Sequence, residues 1–475
     1  MSLDLWLINP HDTVIFRDGK PFNAIPGSSA QTRPFPFPST IAGAVRSQAG
    51  LNKDGIFDVE GMRESGNAKS VESHEPSKET ALDRLKKLPI RGPFLIRIPH
   101  HDDPHASKDN KIKLTANDWY LPAPGDAFLV KPDNQQKQTG LSQTYYTIRQ
   151  LQPRSWSADY LSNNPSVDTH TDQTRDRGTT QLLLVGQIED ELKKPAPGVP
   201  QFWTWERFAD WLIQPSTIAT QSNSHPIAKT ALGIDGPTEE QRVHVNINHE
   251  TRTGQDQMLF ETRSLRFTHV PKDNGLANAQ HLGLAVLVGN GKVTNNKEDQ
   301  PEVDQPENPF TKSLRPQFSH LGGERRIVSW QQAEQAIPAI PECPPKVIES
   351  IINERRCRLI LLTPGIFEMG YYPSKLFQPR TTGVTLTLKA CKVTRPDSIS
   401  GWDIDKNEPK ASRRLVPAGS VYFIELHGAS DQQIKDWLEQ TWFSSISDQE
   451  QDQLDGFGIV AIGTWSGIAT TPEEK

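Results

Sequence analysis

The stretch Ser420-Val421-Tyr422-Phe423-Ile424-Glu425-Leu426 is the clearest structural signal in the chain, because its β-branched and aromatic residues predict a buried strand. After it, Ser430 and Gln433 have the spacing of a helix capping box, and apolar residues recur at helical intervals over 434–442. Residues 458–465 then predict a returning strand. Strand, helix and strand at this spacing make up half of a ferredoxin-like (RRM-type) fold.

Outward from this unit, the chain mixes both kinds of element. Residues 3–8 alternate between two faces, which is typical of a strand, and Ser39 or Thr40 is expected to cap a short helix just after Pro38. An amphipathic pattern predicts a helix over 205–213. Further strands are predicted over 88–96, 182–188, 282–288, 358–362 and 383–390. The elements lack the regular alternation of a doubly wound sheet, so the predicted fold class is α+β.

The composition limits the function classes. The 475 residues carry 35% hydrophobic residues, 38 Pro and 32 Gly, which indicates polar insertions around an ordinary core. The net charge of -6 excludes a global attraction to nucleic acid but leaves local basic patches open. The three cysteines form no C-x-x-C, there is no signal peptide, and no apolar run approaches the roughly 20 residues of a membrane span. We therefore expect a cytoplasmic protein without membrane contact or cofactor.

Five phrases place glycine or proline beside arginine where a loop meets a strand or helix. They cover residues 16–22, 36–46, 321–326, 416–423 and 455–463. Free backbone N–H groups and guanidinium forks at such junctions suit a bent phosphate backbone. The sequence therefore predicts RNA binding.

The glycines near the C-terminus need separate treatment, because two better-known motifs resemble them. Gly456, Gly458 and Gly463 fail the dinucleotide fingerprint, since the third glycine comes late and a strand follows. They also fail the P-loop pattern, because Thr464 and Trp465 occupy the positions of Lys and Ser/Thr. Two interpretations stay open: the glycines let RNA approach the backbone, or they form a tight turn before the last strand.

In order and spacing, these phrases resemble the RAMP superfamily of CRISPR-associated proteins, and within it the third subunit of the Cmr (type III-B) RNA-guided effector complex. The resemblance implies two ferredoxin-like domains and a C-terminal glycine-rich loop at 455–463. On this basis residues 1–220 would form one domain and residues 221–475 the other. Long polar insertions are expected near 52–80, 100–116 and 290–316.

The resemblance also implies a function. The subunit would hold the repeat-derived 5′ tag of the guide RNA and contact the large polymerase-like subunit and the backbone RAMP subunit, without a catalytic site of its own. Combined with the glycine–arginine phrases, it predicts that the RNA-binding residues are Arg17, Lys20, Arg46, Arg242, Arg252, Arg325, Arg326, Lys410, Arg413, Arg414, Gly456, Phe457 and Gly458.

Other interpretations remain open at the level of sequence. Arg17 would pair with Asp12 or Asp18 to hold the N-terminal turn, and the other basic pairs would form a solvated charged face. A histidine would make the chain a metal-independent endoribonuclease that trims guide precursors, and a third possibility is an assembly subunit without RNA contact. The residues His100-His101-Asp102-Asp103-Pro104-His105 lack a second ligand cluster, so no metal site is predicted.

Overall fold

A computed structural model describes the protein over most of its length. The described residues are 3–17, 29–52, 54–64, 79–99, 112–132, 144–154, 182–187, 193–270, 279–289, 310, 313–333, 340–378, 383–403 and 406–468. Most of the three predicted insertions, at 65–78, 100–111 and 290–309, lies outside these residues.

The described chain contains both helices and strands. The helices are α1 (Pro38–Ala49), α2 (Val59–Glu64), α3 (Ala81–Lys86), α4 (Trp205–Ile213), α5 (Pro215–Ser224), α6 (Lys229–Leu232), α7 (Pro345–Glu354), α8 (Asp431–Thr441) and α9 (Glu450–Leu454), with 3₁₀ turns at Ala116–Asp118 and Ser374–Phe377. The strands are β1 (Leu3–Pro10), β2 (Ser29–Ala30), β3 (Ile90–Arg97), β4 (Trp119–Pro122), β5 (Ala127–Val130), β6 (Tyr145–Arg154), β7 (Leu184–Gln187), β8 (Phe202–Thr204), β9 (Ile227–Ala228), β10 (Gly233–Ile234), β11 (Thr238–Ile247), β12 (Gly254–Arg266), β13 (Thr268–His269), β14 (Gln280–Gly289), β15 (Gln317–Leu321), β16 (Arg326–Gln332), β17 (Arg356–Leu361), β18 (Thr385–Lys392), β19 (Asp397–Asp403), β20 (Glu408–Leu415), β21 (Val421–His427) and β22 (Val460–Thr464).

Two antiparallel sheets share one arrangement of four strands. The larger sheet has the order β10-β8-β4-β3-β14-β1-β16-β15, with β13 added beside β14. Within it, β3, β14, β1 and β16 are neighbours, and each pair is antiparallel. The second sheet has the order β18-β21-β17-β22, again antiparallel throughout. Numbered along the chain, both sets of four read second, third, first, fourth, and the architecture is mixed α/β with mostly antiparallel sheets.

Two long hairpins stand apart from these sheets. The β11–β12 hairpin pairs with β2 at its edge, and the β19–β20 hairpin forms a sheet of its own. The sequence analysis predicted neither, because the apolar residues of both hairpins are interspersed with many charged and polar ones, and most of the side chains are exposed.

The C-terminal unit confirms its prediction closely. Ser430 Oγ accepts a hydrogen bond from the Gln433 N–H (3.3 Å), and the Gln433 side chain accepts one from the Ser430 N–H (2.8 Å). The helix α8 that follows buries Ile434, Trp437 and Leu438. Residues 420–426 and 458–465 correspond to β21 and β22.

Two local predictions are wrong. Helix α1 begins at Pro38, and Phe37 precedes it without a side-chain cap, because proline already has a helical φ and needs no N–H partner at that position. The strand predicted as buried over 182–188 is present as β7, but Leu184 is exposed and its neighbours are half-buried. The apolar run predicted more burial than the strand has, because β7 lies at the edge of its sheet, beside β6, and not at the centre.

One hydrophobic cluster runs through both sheets. It joins Leu7 and Phe94 of the first sheet to Leu359 and Ile424 of the second. The first sheet draws its strands from residues 3–332, so the predicted division between residues 220 and 221 falls within its span: Leu5, for example, pairs with Leu287. In the described part of the chain, no helix is long and apolar enough to cross a membrane.

A buried ion pair links the second sheet to the elements around the first. Arg358 on β17 and Asp126 before β5 form an ion pair, and both side chains are 0% exposed. The indole N–H of Trp211 donates to the second Asp126 oxygen (3.0 Å), and Arg358 Nε donates to the Thr464 carbonyl (2.8 Å). Another Arg358 nitrogen donates to the Trp211 carbonyl. The charged groups are thus paired and hydrogen-bonded, as burial requires.

We predict that Arg358→Ala lowers the free energy of unfolding by about 3–5 kcal/mol, because Asp126 would keep a buried charge without its counterion. Urea-induced unfolding of the full chain measures this loss.

Arg356→Ala is the matched control, since Arg356 lies two residues away on β17. Its guanidinium forms an ion pair with the Glu354 carboxylate at 2.6 Å, and both side chains are partly exposed. That variant should lose about 1 kcal/mol or less. Equal losses in the two variants would contradict the role assigned to the buried pair.

Candidate nucleic-acid interface

A continuous chain of charged side chains lies at the base of the β11–β12 hairpin. Glu240 accepts hydrogen bonds from Arg242 (2.6 Å) and Arg266 (2.7 Å). Asp12 accepts one from Arg326 (2.9 Å) and lies 3.7 Å from Arg242. We call these five residues the hairpin-base network. It brings together two predicted RNA-binding residues, Arg242 and Arg326.

The carboxylates in this network are held ionised. Hydrogen bonds from Arg242 and then Arg266 lower the pKa of Glu240. The Thr13 backbone N–H, followed by Arg326 and Arg242, lowers the pKa of Asp12. The network therefore keeps its alternating charges at neutral pH.

Backbone pairing places these residues side by side. Asp12 follows the end of β1, and Arg326 begins β16, which pairs with β1. Val14 pairs with Leu265 of β12, and Ile15 pairs with Gly323 in the turn before β16. Residues far apart in the sequence thus meet at one edge of the first sheet.

The turn before β16 adds further cations. Glu324 and Arg325 have left-handed backbones, with φ of 60° and 48°. Glu324 pairs with Arg17 at 2.7 Å, which ties Arg17 to this turn. Asp18, one of the two partners expected for Arg17 in the N-terminal turn, lies outside the described residues. Arg325 is exposed.

The local charge balance is positive. The hairpin-base network and this turn together hold five guanidinium groups, from Arg17, Arg242, Arg266, Arg325 and Arg326, against three carboxylates, from Asp12, Glu240 and Glu324. This excess of two positive charges stands on a chain whose net charge is -6. The patch, and not the average, decides what such a surface attracts.

Predicted residues on the β19–β20 hairpin divide into two groups. Arg413 binds both oxygens of Asp452 (2.8 and 2.9 Å). Burial raises the pKa of Asp452, and Arg413 opposes that rise. Lys410 and Arg414 are exposed along the same strand. Of these three, the last two are the ones that present their charges to solvent.

Arg33 lies between the two basic regions, and the sequence analysis missed it. Its guanidinium pairs with Asp397 at the start of β19 and donates to the Ser398 carbonyl (3.0 Å). Its backbone N–H donates to the Phe16 carbonyl (2.8 Å), directly beside Arg17. The signal that could have found it is its position immediately before the proline- and phenylalanine-rich stretch that begins at Pro34.

A cleft of about 240 Å³ opens beside Arg33. Aromatic and proline side chains form much of its wall, including Phe35, Tyr120, Phe202 and Pro93. Such a wall favours a planar apolar group over a solvated ion.

The glycine-rich loop does not fit the predicted RNA contact. Gly456, with φ of 90°, packs so closely on β3 that a Cβ would lie 2.8 Å from the Gly92 carbonyl oxygen. A Cβ on Gly458 would lie 2.5 Å from Ser447 Oγ. The Phe457 ring is 0% exposed in a small apolar cluster, so it offers no face to a base. The alternative of a tight turn before the last strand describes this loop, and its glycines serve close packing between protein segments.

Arg46 also contacts protein groups where RNA contact was predicted. It pairs with Asp455 at 2.5 Å and donates to the carbonyls of Leu88 (3.1 Å) and Leu454 (3.3 Å). Its side chain is 13% exposed, so it connects α1 to the glycine-rich loop and does not face a ligand.

Two predicted residues remain. Arg252 is exposed in the turn of the β11–β12 hairpin, where its backbone N–H donates to the Asn248 carbonyl (2.8 Å). Lys20 lies outside the described residues.

The described residues hold no cluster of three or more His, Cys, Asp or Glu that could bind a metal ion. The predicted incidental cluster at 100–105 lies outside them. Burial raises the pKa of Cys343 to about 12 and that of Cys391 to about 11, so neither thiol is a ready nucleophile at neutral pH.

Comparison with known proteins identifies the family. The sequence matches the family described as CRISPR-associated protein (Cas_Cmr3) over residues 6–465. The chain belongs to the Cas_Cmr3 family. The Cmr-type resemblance is thereby confirmed, and this Cas_Cmr3 protein is a component of a CRISPR effector.

Several solved structures resemble the Cas_Cmr3 chain at low identity. A chain of the type III-B Cmr-beta complex bound to cognate target RNA and AMPPnP has 14% identity and a TM-score of 0.36, covering 88% of this chain and 86% of that one. A chain of the same complex bound to cognate target RNA has 13% identity and a TM-score of 0.37, covering 88% of this chain and 86% of that one. A chain of the Csm3–Csm4 subcomplex of a type III-A interference complex has 10% identity and a TM-score of 0.27, covering 90% of this chain and 97% of that one. No curated protein matches the chain.

We predict that Gly456→Ala destabilises the RNA-free Cas_Cmr3 chain by about 1–3 kcal/mol, because alanine is strained at this φ and its Cβ would meet the β3 backbone. Thermal unfolding without RNA measures the change.

Gly43→Ala is the control, since Gly43 lies within α1 and a Cβ added there would have open space within 4 Å. The Gly43→Ala variant should have a free energy of unfolding about 0.5–1 kcal/mol higher than the wild type, because alanine favours a helix more than glycine does. Unchanged stability of Gly456→Ala together with weaker RNA binding would favour the RNA-contact interpretation of the loop.

Proposed function

We propose that the chain is an RNA-binding subunit of a type III-B CRISPR effector complex, which holds the 5′ tag of the guide RNA and docks the large polymerase-like subunit and the backbone RAMP subunit in the cytoplasm. The observation that carries this proposal is the local excess of positive charge at the base of the β11–β12 hairpin, which Arg33 connects to the start of β19. Family membership supplies the biological setting.

The ion pairs in the hairpin-base network are compatible with phosphate binding. A guanidinium has five N–H donors in a planar fork, and one carboxylate uses at most two of them. Arg242, for example, donates to Glu240 and retains donors for a phosphate oxygen. The carboxylates also hold the arginine side chains in place, which reduces the entropy lost when RNA binds.

The shared strand order supports the proposed domain content. Second, third, first, fourth is the order of the ferredoxin-like fold, and both sets of four strands have it. The helix α1 connects the first strand to the second in one set, and α8 connects the third to the fourth in the other. We propose that each set is the core of one ferredoxin-like domain.

The β11–β12 hairpin supports the docking of a protein neighbour. Val243, Val245, Ile247 and Leu259 lie on one face and are 46–63% exposed. Contiguous exposed aliphatic side chains of this kind are typical of protein contacts. The hairpin-base network residues Arg242 and Glu240 alternate onto the opposite face.

The proposed role is non-catalytic. His11 bonds to Ser329 Oγ (2.9 Å), His244 to Thr262 Oγ1 (2.8 Å) and His281 to Asn9 Oδ1 (2.9 Å). These three partners are hydroxyl and amide groups, whereas a carboxylate would orient a histidine as a general base. His427 lies 3.7 Å from the Glu425 carboxylate, which is beyond hydrogen-bond distance.

We predict that Arg325→Ala and Arg252→Ala each weaken binding of tag-containing single-stranded RNA, and that each lowers the slope of log affinity against log salt by about one, because each removes one phosphate contact. Fluorescence anisotropy over a range of salt concentrations measures both quantities.

Lys435→Ala is the control, since Lys435 is an exposed cation on α8, a helix that packs against β22 and α7. It should leave the slope unchanged. Equal slopes for all variants and the wild type would remove Arg325 and Arg252 from the interface.

We also predict that the purified protein leaves repeat RNA intact in EDTA, since the role proposed is binding alone. Denaturing gel electrophoresis after prolonged incubation checks this. Discrete cleavage products that disappear in a His244→Ala variant would establish the endoribonuclease alternative instead.

A further inference from the structure

The β19–β20 hairpin carries an exposed tryptophan that neither the fold nor the proposed phosphate contacts explain. Trp402 is 56% exposed and pairs with Pro409 near the free end of the hairpin. Tryptophan has the largest apolar side chain, so leaving it in water forgoes much burial energy. Such a residue is commonly retained on a surface for contact with a ligand or partner.

Strand register aligns Trp402 with a cation. Arg414 lies opposite Ser398, and Ser398 and Trp402 are four residues apart on β19, so alternation places them on one face. The burial pattern agrees, because Ser398 and Trp402 are exposed while Ile399 between them is buried. At roughly 3.3 Å per residue, about 13 Å of strand separates the Ser398–Arg414 pair from Trp402.

The acidic residues of the hairpin lie on its other face. Asp403 pairs with Glu408, one position beyond the Trp402–Pro409 pair, and Lys410 pairs with Gly401. Adjacent positions on a strand point to opposite faces, so Asp403 and Glu408 point away from the indole side. In the described part of the hairpin, the Trp402 face therefore combines an aromatic ring, a hydroxyl group and a guanidinium without a carboxylate.

We propose that this face is a stacking site for a base of single-stranded RNA, in which Trp402 packs on the base and Arg414 binds a phosphate of the same strand. The site rests on the proposed RNA-binding function. An indole stacks on any base, because every base has a π-face, so the site is tolerant of sequence.

The surroundings of Trp402 favour RNA over a protein partner. A tryptophan that anchors a protein contact is usually ringed by other apolar groups that exclude water. The other large apolar side chains in the described part of this hairpin, Ile399 and Leu415, are buried, so the smaller Pro409 is the apolar neighbour that Trp402 has on the exposed surface. The β11–β12 hairpin differs, since its exposed face carries four aliphatic residues.

Affinity measurements on the full chain test the site. With fluorescein-labelled single-stranded RNA that carries the tag, we expect Trp402→Ala to raise Kd about tenfold and Trp402→Phe to raise it less. The slope of log affinity against log salt should stay that of the wild type in Trp402→Ala, because stacking releases no counterions, but fall by about one in Arg414→Ala. Tyr145→Ala, which removes a 40% exposed aromatic ring on β6, should match the wild type and serves as the control.

The possible failures are distinct. If the wild type binds RNA and Trp402→Ala binds it equally well, the stacking site is wrong and the proposed function stands. If Trp402→Ala binds RNA normally but no longer enters the reconstituted effector complex, Trp402 contacts protein and the inference is overturned. If the wild type does not bind this RNA, both proposals are contradicted. Circular dichroism and the unfolding midpoint confirm that each variant folds.

Discussion

The architecture depends on a buried arginine. Arg358 is 0% exposed on a central strand of the second sheet, and its guanidinium contacts Asp126, the Trp211 carbonyl and the Thr464 carbonyl. A charge that deep is tolerated only when it is fully paired and hydrogen-bonded. The segment before β5, helix α4 and strand β22 must therefore keep their relative positions, and this constraint fixes the second sheet against the elements around the first.

Guanidinium groups serve two purposes in this molecule, and the chemistry is the same in both. Arg46 and Arg413 bind carboxylates of the segment around α9, while Arg252, Arg325 and Arg414 are exposed. A fork of N–H donors fits a carboxylate, a carbonyl or a phosphate almost equally well. An arginine binds a group of its own chain where the fold places a carboxylate or carbonyl beside it. Otherwise its donors stay open to an external ligand.

The two hairpins expose different kinds of surface. At the base of the β11–β12 hairpin, arginines alternate with carboxylates. These ion pairs hold the arginine side chains in place and leave the surface only weakly positive. Its outer part is aliphatic, whereas the β19–β20 hairpin exposes a single indole beside cations. A chain of net charge -6 can thus attract a polyanion locally and still offer apolar contacts to protein neighbours.

The sequence by itself determined the α+β class, the capping box at Ser430 and the strand–helix–strand unit at the C-terminus, because these depend on residues close together in the chain. It also determined the family resemblance, which depends on the order and spacing of short phrases along the whole chain. It could not determine which glycines and arginines face solvent. Arg46 and Asp455 are 409 positions apart, and Gly456 packs on Gly92, so the burial of the glycine-rich loop exists only in the tertiary structure. Likewise, Arg33 binds Asp397, which lies 364 positions away, and the exposure of Trp402 depends on which parts of the folded chain leave its hairpin uncovered.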